Sequence, residues 1–242
     1  MEISGFCCLK RQYLNERLKR RFVTSGMSET KNRILDAAEH LFADKGLGES
    51  SLRAITQAAN VNLAAVNYHF GGKDGLIRAV FARRIEALNE RRLLLLEHAR
   101  GHGQLSLETI LDAYIRPALD TSTDPNAARY IKLLGRAYTE PNDQLRAFLP
   151  QQYDAVLARF KPELHRVLPD VGKAELYWRM HFCLGALLYC MAGAEVMQLS
   201  SDCELCDPRD VEGMIGRLVR FVAAGLRAPG LPVDTVRVTV AG

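Results

Sequence analysis

No stretch of this chain is apolar for long. A membrane-crossing helix needs roughly 20 consecutive apolar residues. The longest such run, Phe182–Ala194, is shorter and holds two glycines. Aromatic residues are sparse, at 7% with a single tryptophan. No nucleophile elbow, phosphate loop, dinucleotide fingerprint or HExxH motif occurs, which removes the commonest sequence grounds for an enzyme. His98, His102 and His165 sit in polar surroundings and read as surface residues. Of the six cysteines, Cys183 and Cys190 lie in an apolar segment and read as small hydrophobes. Cys203 and Cys206 form one isolated pair in an acidic stretch, without the second pair or histidine that zinc would need, and read as a reduced loop. Neither a metal nor a cofactor is expected.

Charge of one sign is also missing from most of the chain. The formal net charge is +4, and residues 1–26 carry all of it, with six lysines and arginines against two acids. The other 26 basic and 26 acidic residues cancel. Any affinity for a polyanion therefore has to come from local placement of charge and from helix N-termini. Residues 1–26 lack the clean apolar core of a signal peptide. They read as a disordered basic extension or a stretch upstream of a start at Met27, ahead of an arm that touches DNA. A reduced, cytoplasmic protein without membrane contact is the resulting expectation.

What is present is helical periodicity throughout, with no convincing strand. The most informative segment is Ser51–Leu76. Ser50 or Ser51 is placed to cap a helix carrying Leu52, Ile55 and Ala59 at helical spacing. Asn60 tolerates the left-handed backbone of a tight turn. Asn62 can cap a second short helix with Leu63, Val66 and Phe70 facing inward, and Gly71 and Gly72 stop it. Two short helices joined by a tight turn present the second one to the major groove. Its outer face would be Asn62, Ala64, Ala65, Asn67, Tyr68 and His69. Small side chains permit close approach, so Asn62, Ala64, Ala65 and Asn67 are the expected base readers. Tyr68, His69 and Lys73 are the expected phosphate contacts, with Ser51 and Arg53 on the preceding helix.

The run Ile34-Leu35-Asp36-Ala37-Ala38, Leu41-Phe42, Gly46, Ile55, Ala58-Ala59-Asn60-Val61, His69-Phe70, Lys73 and Leu76 resembles the N-terminal domain of TetR-family transcription regulators. The departures are Asn60 where the family has Gly, Asn62 where it has Ser, and Asn67 where it has Tyr. Leu63–Phe81, together with Tyr177-Trp178-Arg179-Met180-His181-Phe182 and Leu184-Gly185-Ala186, is similar to the PsrA-like, fatty-acid-responsive members of that family.

The resemblance implies an all-α protein. A three-helix helix-turn-helix DNA-binding head over 27–75 is followed by a helical ligand-binding and dimerisation domain over 76–228 and a tail over 229–242. Helices are expected at 107–115 (stopped near Pro117), 127–138, 143–160 (kinked by Pro150), 173–197 and from an Asp207-Pro208 cap onward. The last two are apolar over wide faces, as a homodimer interface requires. A two-fold dimer would meet a pseudo-palindromic double-stranded operator with half-sites about 34 Å apart or a multiple of it.

A pocket among the middle helices is likewise an implication of the resemblance. Its polar and apolar candidates are Tyr114, Arg129, Tyr130, Leu133, Arg136, Arg179 and His181, each of which, taken alone, reads first as core or as an ion-pair partner. A fatty acid or acyl-CoA would suit it, making the chain a ligand-released repressor. A lipid carrier or sensor without specific DNA binding is the alternative.

Overall fold

The computed structural model describes residues 29–103, 105–120, 129–130, 133–134, 137, 143–191 and 210–230. Eight helices are delimited among them: α1 Glu29–Lys45, α2 Leu52–Ala59, α3 Leu63–Phe70, α4 Lys73–Gly101, α5 Leu107–Leu119, α6 Asp143–Val167, α7 Lys173–Met191 and α8 Val211–Arg227. Residues 129, 130, 133, 134 and 137 are helical as well. No strand occurs among the described residues, and none of the helices is long and apolar enough to cross a membrane.

The head closes around Ile34, Leu35, Ala38 and Phe42 of α1, which bury one face at helical spacing. Ile55 and Ala59 of α2 and Val66 of α3 complete its core. Helix α4, 29 residues and therefore about 43 Å long, packs its beginning on α1 and α3 and the rest on α5 and α6. Its buried residues Leu76, Ile77, Val80, Phe81, Ile85, Leu88 and Leu96 belong to one continuous apolar core with both halves of the molecule. Helix α8 packs on α5 and α7.

Three boundaries differ from expectation. Helix α5 continues through Pro117 to Leu119. Proline deletes one donor in the last turn, and the Asp120 N–H closes that turn on the Arg116 carbonyl at 2.8 Å. Helix α6 holds both Pro150 and Pro162 and runs on to Val167. Helix α8 is capped by Asp210, whose carboxylate accepts from the Gly213 N–H at 2.8 Å. Asp207-Pro208, Cys203, Cys206, the end of the 173–197 helix and residues 1–26 lie outside the described residues.

Candidate nucleic-acid interface and pocket

The turn between α2 and α3 is built by local chemistry. Asn60 sits at φ 52°, ψ 53°, and is the one non-glycine residue with positive φ among the described residues. Its N–H reaches the Gln57 carbonyl at 3.2 Å and the Val61 N–H reaches Thr56 at 3.0 Å, the pair of bonds that closes a left-handed helix end. Asn62 then caps α3, its Oδ1 accepting from the Ala65 N–H at 2.9 Å. Gly71, at φ 70°, ends α3. The two serines divide their work. Ser51 caps α2 through its Oγ, whereas Ser50 is buried and donates toward the Gly46 and Leu41 carbonyls, 2.8 and 3.0 Å away at the end of α1.

A long-range contact that the sequence reading did not include holds this turn. Arg33 of α1 donates to the Ala59 carbonyl (Nη2 2.6 Å, Nε 3.1 Å) and to Asn60 (Nη2 2.6 Å). The guanidinium thereby meets the carbonyls at the negative end of α2.

On α3, Val66 is fully buried and Phe70 half-buried. Leu63, expected to face inward, is 50% exposed, because the whole first turn (Asn62, Leu63 and Ala64) stands free of the head. Ala65, expected outward, is instead half-buried against the core beside Val66. Asn67 is exposed and Tyr68 is 86% exposed. His69 is half-buried, its ring edge-on to Tyr68 at 5.0 Å between centroids. Arg53 and Ser51 are exposed on α2. Lys73 donates from Nζ to the Gly48 carbonyl at 2.9 Å, pinning the α1–α2 loop to the start of α4. An ammonium has three donors, so this bond leaves others for a phosphate.

A cavity of about 490 Å³ lies between α5, α6, α7 and α8. Tyr114 and His181 line it, as expected. Of the other expected ligand residues, Arg129 is not among the described lining residues and Arg136 lies outside the described residues. Leu133 and Tyr130 are buried in the core. Arg179 is buried in a structural bond set, donating to Glu175 and, at 2.7 Å, to the Leu226 carbonyl at the end of α8.

The largest share of the wall comes from α6, through Arg146, Leu149, Pro150, Tyr153, Asp154, Leu157, Phe160, Lys161 and Leu164. These positions recur every three or four residues, a stripe visible in the sequence that the reading of the middle helices passed over. Arg146 and Lys161 are 15 residues apart on that stripe, about 22 Å along a helix. The α6 wall of the cavity is thus long and largely apolar, with Arg146 and Lys161 at separated points along it and Asp154 between them. Cys183 also lines it, and burial pushes its thiol up to about 11. At neutral pH it stays protonated, the form that is a poor nucleophile.

Beside the cavity, α7 and α8 carry Trp178, Phe182, Tyr189 and Phe221, each at least half exposed. Trp178 stacks on Phe182 at 6.1 Å between centroids. These four large side chains stay uncovered within a single chain.

A projecting helix on a small head, joined by one long helix to a body with a cavity, defines a helix-turn-helix protein with a cavity-bearing helical body. Residues 34–80 match the family described as "Bacterial regulatory proteins, tetR family", and residues 112–225 match "Tetracyclin repressor-like, C-terminal domain". The chain belongs to the TetR family, whose members are transcription regulators and not enzymes. It is 30% identical over 106 residues to the uncharacterized HTH-type transcriptional regulator TtgW of Pseudomonas putida, covering 44% of this chain and 72% of that one. It is 28% identical over 140 residues to the HTH-type transcriptional regulator SrpR of the same species, covering 58% of this chain and 60% of SrpR. Among solved structures, the fatty acid degradation regulator FadR from Bacillus halodurans superposes with a TM-score of 0.61 at 17% identity, covering 85% of this chain and 100% of that one. That likeness is one of fold.

Proposed function

We propose that the protein is a dimeric, operator-binding repressor released by a long-chain fatty acid or its coenzyme A ester, in the manner of the PsrA-like regulators. The long, largely apolar α6 wall of the cavity, with Arg146 and Lys161 at separated points along it, carries this reading. A site of this form suits an extended apolar tail with an anionic head. The name of the FadR neighbour points the same way. The free first turn of α3 and the exposed Asn67 and Tyr68 form the reading surface, and the aromatic stripe of α7 and α8 is the surface by which two copies join. The coenzyme A ester, the operator and the cytoplasmic setting are parts of the same proposal.

Ligand can release DNA only by as much as it prefers the non-binding conformation. The test uses a duplex selected by the protein from a random pool. Oleate and oleoyl-CoA are expected to displace it in a gel-shift titration. A selected duplex that neither compound displaces would remove the lipid claim, and a pool from which nothing is enriched would remove the DNA claim. On that duplex, Asn67→Ala is expected to relax preference at one base pair at a cost of about 1–3 kcal/mol. Lys73→Ala is expected to weaken all sequences alike and to reduce the salt slope by about 1.

A further inference from the structure

Arg92, in the middle of α4, is 2% exposed. A guanidinium stays charged in any protein setting, and a buried charge normally meets an opposite one. Arg92 has no carboxylate partner among the described residues. Its Nε donates to the Tyr114 carbonyl at 2.9 Å and its Nη1 to Asn89 Oδ1 at 3.2 Å. Two ring faces take the rest of the charge. The guanidinium carbon lies 3.8 Å from the centroid of Tyr114 and 5.8 Å from that of Tyr153. Both tyrosines line the cavity, and Arg92 does not. A ligand would therefore touch the same two side chains on which this cation is seated.

The other bonds from α4 to α6 differ in kind. Asn89 donates to the Gln152 carbonyl at 2.8 Å, next to Tyr153. The pairs Glu97–Arg159 at 2.5 Å and Arg100–Glu163 join the far ends of the two helices, and none of these four side chains lines the cavity. Glu97 and Arg159 are each about half exposed. Arg92, held in place by Asn89, thus connects the cavity wall directly to the helix that carries the head.

We propose that Arg92 is the residue through which occupancy of the cavity reaches α4. A chain lying against Tyr114 and Tyr153 shifts the rings, the cation follows its seat, and α4 turns with it. Cation–ring attraction is strongest where water is absent, so the seat is stiff and a ring displacement is transmitted. Lysine retains the charge but cannot stack flat or reproduce the fork of donors, so Arg92→Lys should bind and fold while losing transmission. The proposal rests on the acyl-ligand reading above.

The test measures operator affinity with and without oleate, and oleate affinity by calorimetry, for the wild-type chain, Arg92→Lys, Asn89→Ala and Glu97→Gln. Oleate is expected to weaken wild-type operator binding at least about tenfold, within the usual range of such coupling. In Arg92→Lys and Asn89→Ala the effect should fall to about twofold or less, while ligand-free operator affinity and oleate affinity each stay within about threefold of wild type. A residue that merely supports the fold would move those two affinities. Glu97→Gln should keep the full effect. Asn89 is only half-buried, so its variant serves if Arg92→Lys does not fold. Full coupling in a folded Arg92→Lys, or in Asn89→Ala if Arg92→Lys does not fold, or equal loss in Glu97→Gln, overturns this proposal alone. Absence of oleate binding by the wild-type chain overturns the lipid reading and this proposal with it.

Discussion

Replacing Phe81 with alanine is expected to remove about 3–5 kcal/mol of stability, and at this chain length that lowers the unfolding midpoint by roughly 6–20 °C. Phe81 is fully buried in the apolar core on α4, two residues before Arg83, which reaches Glu39 of α1. Its removal deletes a ring from the joint between head and body and leaves a void that helices on both sides would have to collapse to fill. Close packing makes such collapse incomplete, and the residual cavity adds to the lost transfer energy. Thermal and urea unfolding followed by circular dichroism measure the loss. A change below about 1 kcal/mol, the ordinary effect of a point substitution, would mean that the head is not fixed to α4 through this residue.

Glu39→Ala should come next in size. Glu39 is 3% exposed on α1 and receives Arg83 at 2.8 Å and Arg84 at 2.5 Å from α4. Arg83 also reaches Asp36 at 2.7 Å. Removing one member of a buried ion pair costs about 3–5 kcal/mol because the opposite charge is stranded. Both arginines retain some contact with solvent, at 23% and 18% side-chain exposure, so about 3 kcal/mol is the expected loss on that scale. Glu39→Gln keeps the shape and one acceptor and should cost less. The ordering Ala worse than Gln, read as urea midpoints with unchanged slopes, checks the assignment. Equal midpoints for wild type and Glu39→Ala would show the pair to be energetically idle.

These two sites differ in how far the sequence exposed them. Phe81 is legible from spacing alone, because Leu76, Ile77, Val80, Phe81, Ile85 and Leu88 recur at helical period in the sequence. Glu39 looked like any charged residue on an amphipathic helix, because its partners are 44 and 45 residues away. The same division runs through the head. Asn60, Asn62 and Gly71 were legible because turn and cap chemistry is decided within a few residues. Arg33, 26 residues from the carbonyl of Ala59 that it holds, was not.

Leu63 and Ala65 went astray for a related reason. Periodicity fixes which residues share a helix face, but an eight-residue helix overhangs its support, and how far it does so is a tertiary matter. In the body, Arg179 was a ligand candidate only through the family resemblance, and its alternative reading as a paired core residue is the one the structure gives. The end of α8 had already engaged it. The stripe on α6 carried the better signal, since nine lining residues recur there at one helical period.

The length of α4 has a mechanical consequence. Nineteen residues separate Arg92 from Lys73, an arm of about 28 Å on an unbroken helix. Under the coupling proposed for Arg92, a tilt of about 7° over this arm moves the Lys73 end about 3.4 Å relative to Arg92, which is the rise of one base-pair step. On that proposal, a small turn at the cavity end of α4 is geared up to the scale on which duplex DNA is graduated.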